Sequence, residues 1–180
     1  MKIIAFAGMP FSGKSEAVRI AKEKNIPVIR MGDMVWDEVK KRGLELNDKN
    51  VGTIANEMRQ KHGKDVWAKK TIEKVKSIDA ENILIIDGIR NKEEIQTFKE
   101  ELGEDFVLVA ITVSDGERYK RAMNRDREDD SKDINLVKER DNRELNWGLG
   151  KVIEDADVKI SNETDMQSFQ TKIKDFLNNI

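Results

Sequence analysis

Short apolar runs alternate along this chain with longer stretches in which apolar residues recur at helical spacing. The runs have the length of buried strands, and they span residues 3–7, 27–31, 83–86, 106–113 and 158–160. Strands that alternate with helices are typical of a parallel sheet, because each parallel crossover needs a long connection. The pattern therefore predicts a three-layer α/β/α fold, in which helices cover both faces of a parallel five-stranded sheet.

Two of the helices can be located from a cap and from buried stripes. Asn91 is followed three residues later by Glu94, a pairing that is typical of a helix start. The stripe behind this cap comprises Ile95, Phe98 and Leu102, and a second stripe comprises Phe169, Ile173, Phe176 and Ile180. Both stripes predict helices that pack against a core rather than binding surfaces.

One stretch of the chain breaks the alternation. Between residues 34 and 80 the pattern is helical, and no strand lies between the second and third apolar runs. This is more chain than a single crossover needs. We therefore expect one domain over residues 1–180, with a helical insertion at residues 34–80.

Composition restricts the chemistry more than it restricts the fold. Lys and Arg number 33 against 35 Asp and Glu, which gives a net charge of -2, so no overall basic field would attract DNA. Cysteine is absent and His62 is the one histidine, which excludes thiolate zinc sites and leaves almost no basis for a histidine site. An anion site must therefore be local, and a metal is expected to be Mg²⁺ that arrives with a substrate.

The sequence also bears on where the protein works. The chain enters its first strand at once, without a signal-peptide region. No apolar run approaches the length of a membrane span. We therefore expect a cytoplasmic protein that does not bind membranes.

The most specific motif follows the first strand directly. It reads G-x-x-x-x-G-K-S and comprises Gly8, Met9, Pro10, Phe11, Ser12, Gly13, Lys14 and Ser15. A glycine loop between a strand and a helix presents backbone N–H groups and the positive end of the helix dipole to phosphate oxygens. Lys14 is expected to reach the β- and γ-phosphates of ATP, and the Ser15 hydroxyl to hold Mg²⁺. Asp87 ends the third strand, where a carboxylate can hold a Mg²⁺-bound water next to Ser15.

A group of arginines follows the fourth strand. Arg118, Arg121 and Arg125 lie at i, i+3 and i+7, so they share one helix face, and Arg127 comes just beyond them. Arginines placed over a phosphate-binding loop can stabilise the charge that spreads over a phosphoryl group during transfer. The alternative is a solvated face that pairs with neighbouring acids, namely Glu117, Asp126, Glu128 and Asp129.

Four segments carry motifs in the order found in a known group of enzymes. They are Gly32-Asp33-Met34 after the second strand, Asp87-Gly88-Ile89-Arg90 after the third, the acidic turn and arginines of residues 113–125, and Arg127-Glu128-Asp129-Asp130. In these motifs the chain resembles nucleoside monophosphate kinases, adenylate kinase above all, and also dephospho-CoA kinase. The resemblance extends to Arg140 and Arg143 on a following helix, and it implies the kinase fold and ATP binding.

Longer phrases narrow the resemblance. Those at residues 30–34, 86–90, 127–130 and 144–150 are similar to a small archaeal family of adenylate-kinase-related P-loop proteins. This likeness implies a nucleotide in the second site without deciding one activity, and it implies that Asn162, in the loop after the last strand, lies near adenine. Only Asp126 separates Arg125 from Arg127, so a reduced lid is expected at residues 121–130.

The second site departs from adenylate kinases at one position. Trp36 stands where those enzymes place an arginine on the acceptor phosphate, so a bidentate charge contact is replaced by a stacking surface. AMP can still be held through Arg90 and Arg59, with Trp36 or Trp67 against the base. The alternative is that both tryptophans belong to the core of the inserted helices. An insertion of this kind commonly holds the second substrate and closes over the first.

Asp33 distinguishes two chemistries. If the acceptor is a phosphate, no strong base is needed, and Asp33 would orient Mg²⁺ or hydrogen-bond the acceptor. If the acceptor is a hydroxyl, as in dephospho-CoA or shikimate kinases, Asp33 would be the base. The Gly-Asp-Met setting and Arg90 favour the phosphate. A third interpretation is a regulator or slow ATPase that binds AMP or ATP and switches a partner, which the missing arginine at Trp36 supports.

The sequence thus predicts transfer of the γ-phosphoryl group of Mg·ATP to a nucleoside monophosphate, with AMP as the first candidate. The side chains assigned to the moving phosphoryl group are Lys14, Arg121, Arg125 and Arg127. Ser15 and Asp87 would hold the metal, and Arg90 would hold the acceptor phosphate. Arg121 and Asn162 are also assigned to ATP.

Overall fold

The five apolar runs form one sheet in the computed structural model, which describes residues 1–78, 82–124 and 133–180. The strands are β1 (Lys2–Ala7), β2 (Val28–Arg30), β3 (Ile83–Asp87), β4 (Phe106–Thr112) and β5 (Val158–Ser161). All four pairings are parallel, and the strand order is β2-β3-β1-β4-β5. This confirms the predicted fold class. The second strand is shorter than predicted because Met31 already begins a helix.

Helices connect and cover the strands. In the described residues they are α1 (Lys14–Glu23), α2 (Met31–Lys41), α3 (Asp48–His62), α4 (Val66–Val75), α5 (Lys92–Leu102), α6 (Asp115–Asn124), α7 (Ile134–Trp147), α8 (Leu149–Glu154) and α9 (Met166–Asn179). None of these helices is both long and apolar enough to cross a membrane.

The central strand explains why the runs are almost wholly apolar. Alternate residues of a strand point to opposite faces of the sheet. Ile3, Ala5 and Ala7 of β1 pack with buried side chains of α2 to α5 and α8, whereas Ile4 and Phe6 pack with those of α1 and α9. Since both faces are covered, both sets of side chains must be apolar.

The strand register brings the ends of three strands together. Phe6 of β1 is paired with Asp87 of β3, and Arg30 of β2 is paired with the same Asp87. The segments that follow β1, β2 and β3 therefore begin at one edge of the sheet. In open parallel sheets, ligands bind at this edge.

The two predicted stripes are largely found. Asn91 caps α5 by accepting a hydrogen bond from the Glu94 N–H at 2.8 Å. Ile95 and Phe98 of α5 are buried on its inner face. In α9 the buried residues are Phe169, Ile173 and Leu177. Ile180 is exposed because the helix ends at Asn179, so its assignment to the stripe was wrong.

Three helices, α2, α3 and α4, run between β2 and β3, where the sequence predicts an insertion; residues 79–81, at its predicted end, lie outside the described part. Trp67 is buried among these helices, and its indole N–H donates to the Ala55 carbonyl oxygen at 3.3 Å. Trp67 therefore belongs to the core, as the alternative interpretation had it. The role of residues 34–80 in holding a second substrate stays a prediction.

Candidate active site

The glycine loop joins β1 to α1 in a conformation that only glycine allows at two positions. A Cβ atom on Gly8 would lie 2.6 Å from both the Ile111 carbonyl oxygen and the Ser12 hydroxyl. Gly13 has a φ of 109°, in the left-handed region, and a Cβ there would overlap the side-chain nitrogen of Asn162. Both glycines are therefore needed for the close approach of backbone segments.

Lys14 is folded over this loop. Its ammonium group donates a hydrogen bond to the Gly8 carbonyl oxygen at 2.7 Å. Burial lowers the pKa of Lys14 to about 8, and the nearby positive charge of Arg90 acts in the same direction, against the carboxylates of Asp87 and Glu144. An anion bound beside the ammonium group would offset this destabilisation of the charged form.

Asp87 and Ser15 provide oxygen atoms of the kind that Mg²⁺ prefers. Asp87 lies at the end of β3, and its Oδ1 atom is buried without a hydrogen-bond partner among the residues that the structure describes. Ser15 is exposed in the first turn of α1. A carboxylate oxygen that lacks a partner inside a protein is unfavourable, and a cation would satisfy it. The donor set thus fits a magnesium ion.

Two buried carboxylates hold the arginines next to the loop. Arg90 Nε forms an ion pair with Glu144 Oε2 at 3.1 Å, although without hydrogen-bond geometry. Glu94 accepts from the Arg90 backbone N–H at 2.7 Å and from Arg59 Nη2 at 3.1 Å. Burial raises the pKa of Glu94, and the positive charge of Arg59 opposes that shift.

Trp147 of α7 packs against two arginine side chains of this site. The guanidinium carbon of Arg59 lies 4.7 Å from the centre of its indole ring, and that of Arg143 lies 5.8 Å away. The indole N–H donates to Asn56 Oδ1 at 3.3 Å. The contact between Arg59 and Trp147 holds the Arg59 side chain of α3 against α7.

The cluster as a whole carries an excess of positive charge. Over the described ranges its basic members are Lys14, Arg59, Arg90, Arg140 and Arg143, and its acidic members are Asp87, Glu94 and Glu144. Nε and Nη1 of Arg59 and Nε of Arg140 are buried, with no hydrogen-bond partner in the part of the chain that the structure describes. A site with five positive and three negative groups suits an anionic ligand.

Other predicted residues lie apart from this cluster. Asp33 is 3.7 Å from Arg30 in an exposed ion pair, and Arg30 also lies over the ring of Trp36, 5.3 Å from its centre. Trp36 is 39% exposed, so it is not a core residue. Arg125 and Arg127 lie outside the described residues, as does most of the predicted lid at 121–130.

Arg121 and Asn162 contact each other rather than standing free. Arg121 donates to Glu117 Oε1 at 3.1 Å and to the Asn162 carbonyl oxygen at 2.8 Å. The side-chain amide of Asn162 is buried and donates to the Ser12 carbonyl oxygen at 2.8 Å. The pairing of Arg121 with Glu117 agrees with the alternative interpretation of the arginines as a solvated face that pairs with neighbouring acids. The assignment of Arg121 and Asn162 to ATP stays a prediction.

Sequence reasoning missed several members of the site. Glu94 was assigned only to a helix cap, and Glu144 and Trp147 belonged to a matching phrase without a role. For Glu144 and Trp147 a signal was available: each lies four residues, or one helical turn, after an arginine of α7, namely Arg140 and Arg143. Arg118, which the helical spacing puts on the same face as Arg121, is buried and paired with Asp141 of α7, a partner that the spacing does not indicate.

A glycine loop after the first strand of a parallel sheet, with a lysine and arginines gathered at the same edge, defines a P-loop protein of the kinase-like class. A family model described as an AAA domain matches residues 7–137. The chain belongs to the UPF0200 family. It is 44% identical over 179 residues to a UPF0200 protein of Methanosarcina acetivorans, covering 99% of this chain and 95% of that one. A UPF0200 protein of Thermoplasma volcanium is 37% identical, over 97% of this chain and 96% of the relative. This confirms the predicted relation to an archaeal P-loop family.

Solved structures support the same fold. The structure named TT1252 from Thermus thermophilus superposes with a TM-score of 0.68 at 16% identity, covering 99% of this chain and 97% of that one. A gluconokinase from Sinorhizobium meliloti gives a TM-score of 0.59 at 16% identity, with coverages of 98% and 91%. A shikimate kinase from Aquifex aeolicus gives 0.54 at 18% identity, with coverages of 98% and 96%. At these identities the likeness concerns the fold alone.

Proposed function

We propose that the protein transfers the γ-phosphoryl group of Mg·ATP to a nucleoside monophosphate, with AMP as the first acceptor to test. The observation that supports this most directly is the position of Arg90. Arg90 stands three residues after Asp87, which is paired with Phe6 at the strand end that leads into the glycine loop, and its charge helps to lower the pKa of Lys14. A group that holds an acceptor phosphate must stand next to the phosphate that is transferred.

Phosphoryl transfer depends mainly on positioning and on electrostatic stabilisation. In this proposal Lys14 and Arg121 stabilise the moving group, together with Arg125 and Arg127, which lie outside the described residues. Ser15 and Asp87 hold Mg²⁺, which neutralises charge on the phosphates when it is bound. Lys14 releases the Gly8 carbonyl oxygen and donates to phosphate oxygens instead.

The acceptor phosphate is assigned to Arg90 and Arg59. Their carboxylate partners, Glu144 and Glu94, are buried, so the two guanidinium groups are held in place before a substrate binds. Such preorganisation avoids an entropic cost during binding. The exposed ring of Trp36 is assigned to the base, and Asp33 is assigned to orient the metal or the acceptor.

A hydroxyl acceptor is the second candidate. Proteins named as a shikimate kinase and a gluconokinase share the fold. Asp33 lies in the first turn of α2, directly after β2, and its carboxylate is 40% exposed. A carboxylate in this place can accept the proton of a substrate hydroxyl, whereas the positive excess around Arg90 favours the phosphate acceptor.

The experiment is an ADP-release assay with Mg·ATP against AMP, CMP, UMP, GMP, dephospho-CoA, shikimate, gluconate and no acceptor, beside a calorimetric titration with AMP. Turnover that depends on a nucleoside monophosphate supports the proposal. Turnover with a hydroxyl acceptor assigns Asp33 as base instead. AMP binding with only slow, acceptor-independent hydrolysis indicates a nucleotide-dependent regulator.

A further inference from the structure

Arg118 is a buried arginine of α6, with 1% of its surface exposed. Its Nη1 and Nη2 atoms donate to the two carboxylate oxygens of Asp141 at 3.0 and 2.7 Å. Nε and Nη2 donate to Asp115 Oδ1 at 3.3 and 2.6 Å. Nη1 also donates to the carbonyl oxygen of Pro10, within the glycine loop, at 3.1 Å. All five guanidinium N–H groups thus donate to acceptors of the protein itself, of which Asp141 is buried and Asp115 is exposed.

We propose that Arg118 is a positioning residue, which fixes the shape of the phosphate-binding loop and joins that loop to α7. The proposal rests on the proposed function in so far as that function makes Mg·ATP the ligand of the loop. Arg118 does not contact the nucleotide in this proposal. It acts through the backbone of Pro10 and through Asp141.

The bond to Pro10 acts on the loop through the geometry of the peptide group. In a trans peptide the C=O and the following N–H point in opposite directions, and no described peptide bond is cis. Because Arg118 holds the Pro10 oxygen, the N–H of Phe11 is directed away from Arg118. Asn162 holds the Ser12 oxygen in the same way, which directs the N–H of Gly13. Two N–H groups of the loop are therefore oriented from outside it.

Phe11 shows that the loop needs such support. Its φ of 63° lies in the left-handed region, which a residue with a bulky side chain rarely adopts. Such a conformation persists only where the surrounding structure holds it. The held carbonyl oxygens of Pro10 and Ser12 stand on the two sides of Phe11, so these bonds restrain its backbone.

The hydrogen bonds to Asp141 connect Arg118, and with it the glycine loop, to α7, the helix that bears Arg140 and Arg143. Asp141 stands next to Arg140 on α7 and one turn before Glu144, and the charges of these two neighbours act on Lys14. Tyr119 also donates to Asp141 Oδ2 at 3.1 Å. A buried ion pair adds little net stability compared with apolar residues of similar size. Stability alone therefore gives no reason for an arginine here, whereas a link between the loop and α7 does.

The test compares Arg118→Lys with a matched control. Lysine keeps the charge but lacks the planar fork, so it cannot serve Pro10, Asp115 and Asp141 at once. We expect Arg118→Lys to weaken the binding of Mg·ATP about tenfold in a calorimetric titration at a temperature where the variant is folded. Its unfolding midpoint should lie below that of the control, because the buried carboxylate of Asp141 loses its bidentate partner. The control is Arg42→Lys, because Arg42 also joins two carboxylates, those of Glu38 and Glu57, each at 2.9 Å, but on the surface.

A second variant, Asp141→Asn, decides the matter if Arg118→Lys does not fold. It keeps the size of the side chain and removes the charge that holds the guanidinium group, and we expect Mg·ATP binding to weaken about threefold. Wild-type affinity in the folded variants would overturn the proposal, as would an equal loss in the control. If the wild-type protein transfers phosphate to no acceptor, the proposed function fails, but the Mg·ATP titration needs no acceptor and still decides between these outcomes.

Discussion

The phosphate-binding loop is made of eight consecutive residues, whereas the side chains around Arg90, apart from Lys14 and Asp87, come from α3, α5 and α7. In the loop, residues 8–15, the binding groups are backbone N–H groups whose directions are set by glycines and by held carbonyl oxygens. In the cluster, the binding groups are guanidinium side chains whose positions are set by buried carboxylates. The difference indicates that the site for the phosphoryl donor ATP (the donor side) is defined by local sequence. The site for the phosphoryl acceptor (the acceptor side) is defined by long-range charge pairs.

The largest effect is expected on the donor side. Lys14→Ala removes the ammonium group over the loop, and we expect turnover to fall by at least about 10³-fold, since this charge acts on the phosphate in transfer. The unfolding midpoint should stay close to that of the wild type. Lys22→Ala, at an exposed position in the last turn of the same helix, is the control for ADP release and for unfolding. Unchanged turnover in Lys14→Ala would refute the mechanism.

The next effect concerns the carboxylate that supports the acceptor side. Glu94→Ala leaves Arg59 and the Arg90 N–H without their shared partner, and we expect the free energy of unfolding to fall by about 3 kcal/mol. Glu93→Ala, which removes a surface partner of Lys64, should change it by less than about 0.5 kcal/mol. Urea denaturation measures both. If Glu94→Ala weakened Mg·ATP binding as much as it lowered stability, the separation of the two sides would be wrong.

A smaller change separates the two substrates. Arg90→Lys keeps a positive charge but loses bidentate recognition of phosphate. We expect the KM of the acceptor to rise about tenfold and that of ATP to change less than about twofold. Steady-state kinetics with each substrate varied in turn measures the two values. Equal changes in both would place the acceptor phosphate elsewhere.

The smallest effect is a dependence on pH. Burial raises the pKa of Glu94 above its usual 4.5, so the folded protein holds this proton more tightly than the unfolded chain does. Between 4.5 and the raised pKa, the stability of the wild type should therefore increase relative to Glu94→Gln as the pH falls, by no more than about 1.4 kcal/mol per pH unit. Urea denaturation of both proteins from pH 7.5 to 4.5 measures the difference. The opposite trend would mean that Arg59 stabilises the charged form more than burial opposes it.

The sequence allowed the fold to be predicted because its signals are local. Each strand is an apolar run, and the cap at Asn91 lies three residues from its partner Glu94. The position of the phosphate-binding loop follows from its motif in the same way. The observed helices and strands differ from the predicted ones mainly in where they begin and end. At Met31, for example, α2 begins earlier than the apolar run suggests.

The partners of charged residues could not be predicted in this way. A helical spacing places Arg118 and Arg121 near one another, but it does not show that Asp141, 23 residues later, takes one of them into the interior. Likewise, Arg59 and Glu94 are 35 residues apart. The free energies of such pairs depend on burial and on geometry, neither of which is contained in the spacing of residues.

The hydrogen bond from Asn162 to the Ser12 carbonyl oxygen has a consequence for the order in which the protein is made. The loop motif is synthesised well before the amide that holds Ser12, which is 150 residues further along the chain. The loop therefore reaches its final shape only after Asn162 has left the ribosome. A nascent chain that lacks β5 and Asn162 would carry the whole motif without a finished nucleotide site, so nucleotide binding would report that this distant segment has been made.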